Sequence, residues 1–296
     1  MRLKPIFDTN IFSLRNETQR REWQVLLHHR PSHGWPLSLV TVLELLAGLD
    51  GIPAEKFPAL RAQVQRAYQL SRGRVLEDPM PMLCKEVLHI PFPARLVAPA
   101  ASLLQRYMDV VRRAETLDQL LEGVPYKGLR AGLRTPSAVN DLVCNLKKQW
   151  VNALEELATA RNPAWRDLFL NHGKRLPPEM RRNLESPSIW RTEGRTLIEQ
   201  LLRGLLDTTP EQELIDVMVN KFSAVLEFST FVSRAFLTGN YSIEKHSSDV
   251  FDQFQLRYLA MDRFVIVTGD PDLLKRTARS SQAARIMTIQ HFLQTL

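Results

Sequence analysis

The stretch Phe7-Asp8-Thr9-Asn10-Ile11-Phe12, FDTNIF, decides how the rest of the chain is read. It follows an apolar opening, MRLKPIF, that predicts a short strand, and it places an acid and a Thr-Asn pair directly at the strand's end. An aspartate there is either the start of an Asx turn or a site residue. Its counterpart lies near the other end of the chain. The run Arg263–Thr268, RFVIVT, is continuously apolar in the manner of a strand buried on both faces, and it runs into Gly269-Asp270-Pro271-Asp272. In an open parallel sheet, ligands sit beyond the carboxyl ends of the strands. Two strands that each end in acids therefore point to one edge.

Outward from these two stretches, the ends of the chain alternate strand and helix. ETQRREWQVLLHH carries Trp23, Leu26 and Leu27 at helical spacing. WPLSLV predicts a second strand, TVLELLAGL a helix ending at Gly48, and residues 54–71 a longer helix before the short strand RVLED and the proline-broken PMPM. SSDVFDQFQLRYLAM predicts a helix before RFVIVT, LLKRTAR one after it, and ARIMTI a last strand. Between the ends, the segments 97–123, 137–161 and 209–236 carry helical patterns and almost no strand signal. The last opens with a capping-box pattern at Thr209-Pro210-Glu211-Gln212. The expected fold is α/β: a central, mostly parallel sheet flanked by helices in three layers, interrupted by an α-helical insertion. Residues 1–95 and 225–296 form the core in this reading, and 96–224 the insertion.

The carboxylates sit where such a fold would use them. Asp8 closes the first strand, Asp270 and Asp272 follow RFVIVT, and Asp249 and Asp252 share one face of the preceding helix. Each has a plain structural alternative. Asp8 suits an Asx turn, Asp270 before Pro271 suits a helix N-cap, and Asp249 suits a helix N-terminus electrostatically. Glu44 is harder to explain away, because it is the sole charge of a helix apolar almost all round; it must reach solvent, pair or bind a metal.

FDTNIF, SLVTVLELLAG and DVFDQFQLRYLAMDRFVIVTGDPDLL together resemble the three signature segments of the PIN domain family, metal-dependent nucleases that mostly cut RNA. The resemblance covers roughly residues 1–91 and 228–296 and leaves the middle unexplained. It implies that Asp8, Glu44, Asp252 and Asp270 are catalytic, with Thr9, Asn10 and Thr268 in supporting polar positions. Asp249 competes with Asp252 for the third position, and Asp272 is a plausible outer member. Clustered carboxylates repel one another unless cations neutralise them, and hard oxygen ligands select Mg²⁺ or Mn²⁺. Asp8, Asp252 and Asp270 are therefore assigned to metal binding, with Asp249 and Asp272 as further metal candidates, and Glu44 is a ligand or orients the attacking water. A haloacid-dehalogenase-type phosphohydrolase also has an Asp after its first strand and a late GD motif. It requires a second Asp where this chain has Asn10 and an acid where it has Leu274. A PIN-like fold used only for binding is the other alternative.

Composition narrows the partners. The chain of 296 residues carries a formal charge of +7, and its sequence pI is about 9.6, which favours a polyanion. The excess is concentrated: eleven Lys/Arg stand against five acids between Lys127 and Arg182. Lys147 with Lys148, Lys174 with Arg175, and Arg181 with Arg182 are the expected phosphate contacts, on RNA ahead of DNA. The family resemblance also admits a homodimer, and the basic character an acidic protein inhibitor. No uncharged apolar stretch approaches the ~18–20 residues of a membrane span. Cys84 and Cys144 are too isolated for a metal pair or a disulfide framework and predict buried thiols in a reducing, cytoplasmic setting. His28, His29 and His33 read as surface residues of a turn.

Overall fold

The computed structural model describes residues 3–47, 52–94, 101–121, 187–238 and 248–296, with isolated positions 49, 96, 148, 152, 240–242 and 246. These residues form an α/β protein in which a small parallel sheet of three strands is flanked by helices. Strands β1 (Lys4–Phe7), β2 (Phe264–Val267) and β3 (Ile286–Met287) lie side by side in that order. Phe7 pairs with Val267, and Val267 with Met287, so all three strands end level. Every residue of β2 is buried, which is what its unbroken apolar run requires. The residues following the strands, Asp8, Thr268 and Thr288, consequently leave the sheet at a common edge. Thr288 caps the final helix, accepting from the His291 N–H.

The chain divides into two compact units. The first comprises residues 1–144, 261–274 and 284–296, and the second 145–260 and 275–283. The first unit holds the sheet with helices α1 (Glu17–His29), α2 (Leu39–Ala47), α3 (Phe57–Ser71), α4 (Pro79–Leu83), α5 (Ala101–Arg113) and α6 (Leu117–Leu121). Helix α5, expected in the insertion, joins this unit because Leu104, Tyr107, Met108 and Val111 are buried along one face and it packs on α2 and α3. The second unit contains α7 (Pro187–Leu206), α8 (Gln212–Lys221), α9 (Ser223–Leu237) and α10 (Asp249–Leu256). Thus α9 and α10, expected in the core, belong with the helical unit. Helix α11 (Pro271–Thr277) follows β2, and α12 (Ile289–Gln294) follows β3.

Four segments depart from the sequence expectation. WPLSLV contributes only a parallel bridge between Leu37 and Val75, and RVLED only the other half of that bridge. Ser38 ends the extended segment by capping α2: its Oγ accepts the Thr41 N–H at 2.9 Å. The Thr41 hydroxyl donates to the Phe7 carbonyl at 2.7 Å, tying the start of α2 to the end of β1. PMPM is not a break but the beginning of α4. Pro79 stands at the first helical position and Asp78 accepts the Met80 N–H at 2.8 Å. Cys84 beyond it is buried and free, as expected, and His28, His29 and His33 are exposed. The long helix expected over 209–236 starts at Gln212, without the capping box, and is interrupted at Phe222.

Gln282 explains how that interruption is tolerated. A helix break leaves backbone groups without their i, i+4 partners, and buried orphans are costly. The buried Gln282 side chain supplies both partners: its Oε1 accepts the Ala224 N–H at 3.1 Å and its Nε2 donates to the Lys221 carbonyl at 2.7 Å. The same Nε2 reaches the Leu259 carbonyl at 2.8 Å. Among the described residues no helix is long and apolar enough to cross a membrane. Gln282→Leu should destabilise the protein by ~1–3 kcal/mol per orphaned buried group, read as a lower urea midpoint. An unchanged midpoint would show that water or relaxation satisfies the break.

Candidate active site

Asp8 extends the ladder one residue past β1, its N–H donating to the Val267 carbonyl at 3.0 Å; Thr268 does the same past β2, to Met287 at 3.0 Å. The backbone thereby presses the two side chains together. Asp8 is only 4% exposed. Its Oδ2 accepts from the Thr268 hydroxyl at 2.6 Å and from Asn10 Nδ2 at 2.5 Å. The Thr268 hydroxyl in turn accepts from the second Nδ2 hydrogen of Asn10 at 3.2 Å and from the Asp270 N–H at 2.9 Å. Asn10 Oδ1 takes the Gly269 N–H at 2.8 Å. A Cβ on Gly269 would stand 3.1 Å from that oxygen, so glycine lets the strand end come this close.

Thr9 joins a second carboxylate to the first. Its hydroxyl lies 2.7 Å from Glu44 Oε2 and 3.3 Å from Asp8 Oδ1. One hydroxyl has one proton, and the shorter contact takes it. Of the two Asp8 carboxylate oxygens, Oδ1 is thus the less engaged. Asp270 fills the structural role foreseen for it as well: its Oδ1 accepts the Asp272 N–H at 2.8 Å at the start of α11. Asp272 itself is exposed. The first unit therefore gathers Asp8, Thr9, Asn10, Glu44, Thr268 and Asp270 into one hydrogen-bonded group.

Burial pushes the Asp8 carboxyl above its ordinary value. Hydrogen bonds from Thr268 and Thr9 oppose the rise, and the nearby Asp270 charge adds to it. Among the described residues no Lys, Arg or His forms an ion pair with Asp8. The donors are all hard oxygens, the type that suits Mg²⁺ or Mn²⁺. They are separated by the two threonine hydroxyls, however, and among the described residues no three His, Cys, Asp or Glu converge closely enough to hold a metal. The set fits a hard cation in kind, without forming a three-acid cluster.

Asp249 and Asp252 belong to the second unit. Asp249 is buried, and its Oδ2 accepts from Arg276 Nη1 at 2.6 Å and the Tyr241 hydroxyl at 2.9 Å. Burial raises its carboxyl while the Arg276 charge pulls it down. Arg276 and Tyr241 carry no local signal in the sequence, since the ion pair joins residues 27 apart. Asp252, three residues along α10, is half-buried. Of the expected phosphate contacts, Lys148 is exposed in a helix, whereas Lys147, Lys174, Arg175, Arg181 and Arg182 lie outside the described residues.

The chain matches no protein-family model, and neither curated proteins nor solved structures give a match. The functional reading therefore rests on the residues themselves.

The raised Asp8 carboxyl makes a signed prediction. The folded state holds the Asp8 proton more tightly than the unfolded chain. Stability from the protonated form is fully present below the unfolded value and is lost as pH rises through the folded value. Asp8→Asn keeps the oxygen facing Thr268 and Asn10, and its amide can donate to Thr9 Oγ. In chelator the variant should melt higher than wild type at neutral pH, with the gap narrowing as pH falls through the raised folded value and closed below about pH 3.8, the ordinary carboxyl value. A variant that melts lower at neutral pH would mean that the ionised carboxylate stabilises the fold.

Proposed function

We propose that this chain is a metal-dependent phosphodiester hydrolase, an endoribonuclease of the PIN type, with its chemistry centred on Asp8, Glu44 and Asp270. The observation that carries the reading is the buried Asp8 carboxylate, fixed through Oδ2 and lacking a basic partner among the described residues. A buried carboxylate is costly unless a cation or a proton neutralises it, and such perturbed groups cluster at functional sites. Asn10 and Thr268 hold the carboxyl plane, which leaves Oδ1 as the oxygen with which Asp8 would hold a cation. Thr9 orients Glu44 beside it, placing a second acid to hold or deprotonate the attacking water. Asp270 adds negative charge at the same strand edge. A bound Mg²⁺ or Mn²⁺ would supply hydroxide at neutral pH and offset the charge developing on the phosphate.

A second reading, a catalytically silent PIN-like binding module, is favoured by two observations. The Asp270 carboxylate is engaged as a helix cap, and no three-acid cluster occurs among the described residues.

Cleavage of single-stranded and structured RNA by the purified chain in Mn²⁺, in Mg²⁺ and in EDTA separates the two. Metal-dependent cutting that falls ~100-fold or more in Asp8→Asn is expected. Mn²⁺ should also raise the melting temperature of wild type but not of the variant. Asp252→Asn in the same assay tests the role that the family resemblance implies for that residue. An inert wild type that takes up no Mn²⁺ by calorimetry would leave the binding module as the reading.

A further inference from the structure

The second unit contains a cleft of about 750 Å³ that sequence patterning did not single out. Helix α7 supplies Arg191, helix α9 supplies Glu227 and Arg234, and the turn after α11 supplies Arg279 and the hydroxyls of Ser280 and Ser281. A neighbouring cavity of about 590 Å³ shares Glu227, Thr230, Arg234 and Arg279 with it and adds Lys275. The shared wall sets the two clefts side by side along α9 as a two-part trough. Ser223, Glu227, Thr230 and Arg234 recur at helical spacing, so a single face of α9 lines it over about 16 Å, at 1.5 Å per residue. The floor is firmly built. A Cβ on Gly194 would meet Leu226 Cδ1 at 3.3 Å, so α7 and α9 cross closely there. Ser281 Oγ donates to Asn220 Oδ1 at 2.7 Å and lies 2.8 Å from Ser223 Oγ.

The charge in this trough is unbalanced. Arg195 is paired with Asp216 and Arg276 with Asp249, but among the described residues Arg191, Arg234, Lys275 and Arg279 have no acid partner. One acid, Glu227, stands against these four cations. Like charges held together without counter-ions favour an anionic ligand. The cations come from three separate segments and are spread along the trough rather than turned on one point. That distribution suits a series of phosphates rather than a single anion. Apolar wall residues such as Leu226 and Val219 leave room for bases beside the backbone.

We propose that this trough binds the phosphate backbone of a single-stranded nucleic acid; that the strand is RNA rests on the nuclease reading above. The test is fluorescence anisotropy of a labelled 12-nucleotide single-stranded RNA with the full chain in EDTA, between 50 and 200 mM KCl. Arg191 and Arg279 are exposed, so the double variant Arg191→Gln/Arg279→Gln should fold, which its melting temperature checks. It should bind ~10-fold or more weakly, and its log-affinity against log-salt slope should be shallower by about 1.4, for two phosphates released from a single strand. Arg234→Gln is the second variant and should weaken binding in the same direction. Arg203→Gln, outside the trough and paired with Glu199, should change neither affinity nor slope.

Unchanged affinity and slope in the double variant overturn the proposal, as does absence of RNA binding by wild type. Competition by millimolar inorganic phosphate as effective as competition by unlabelled RNA would overturn it in favour of a small-anion site. Displacement by polyglutamate at equal charge would overturn it in favour of an acidic protein. Because binding is read without metal, its failure leaves the Asp8 cleavage assay standing. Trough-dependent binding without metal-dependent cleavage would sink the nuclease reading alone.

Discussion

A carboxylate taken out of water at the end of a parallel strand is the constraint on which the first unit turns. Asp8 and Thr268 are 260 residues apart, and their 2.6 Å hydrogen bond forms only when β1 and β2 are in the register that sets Phe7 beside Val267. A slip of one residue would exchange the faces that Ile6 and Phe7 occupy and carry Asp8 out of register with Thr268. The polar pairing at the edge and the apolar packing of the sheet thus select the same register. Asn10 completes the arrangement by using both amide hydrogens and its carbonyl, on Asp8, Thr268 and the Gly269 N–H. Low dielectric makes such a network strong when every member is satisfied. The side chain of Thr41 extends it to α2 through the Phe7 carbonyl, which is how Glu44 comes within reach of Thr9.

Much of this was legible because its signals are local or periodic. FDTNIF and RFVIVTGD announce strand ends followed by acids, and the runs of α1, α3 and α10 announce helices by apolar spacing. WPLSLV shows where pattern fails. Its apolar residues suit a strand, but Ser38 three residues before Thr41 is also a helix start, and capping outweighed strand propensity. The break at Phe222 was hidden for a different reason: the residue that makes it tolerable, Gln282, lies some 60 positions downstream. No window of sequence contains both. The trough cations likewise come from residues 191, 234, 275 and 279, so none appears as a basic run.

The two buried aspartates invite comparison, because each unit treats the same physical problem differently. Burial raises both carboxyls. In the second unit Asp249 is met by Arg276, whose guanidinium is itself covered by Phe228 and Phe231 at 5.6 and 5.4 Å from the ring centres. That pair is internally complete. A buried ion pair of this kind fixes geometry, and a side chain so committed has little left to offer a ligand. Asp249 is thereby committed to tying α10 to Arg276.

Asp8 is met by dipoles, with no basic side chain paired to it among the described residues. Thr268 and Asn10 donate to one oxygen only, and hydroxyl and amide donors compensate a buried charge incompletely. A site meant only to stabilise the fold would be better served by asparagine, whose oxygen keeps the contacts with Thr268 and Asn10 without the charge. A carboxylate retained where its neutral isostere fits asks for something that the neutral group cannot do. Binding a hard cation is one such task, and moving a proton is another; both belong to the hydrolase proposed here. The same reasoning bears on the trough, where, among the described residues, four cations without an acid partner are gathered against one acid. Fold stability alone would disfavour that repulsion, and an anionic strand would relieve it.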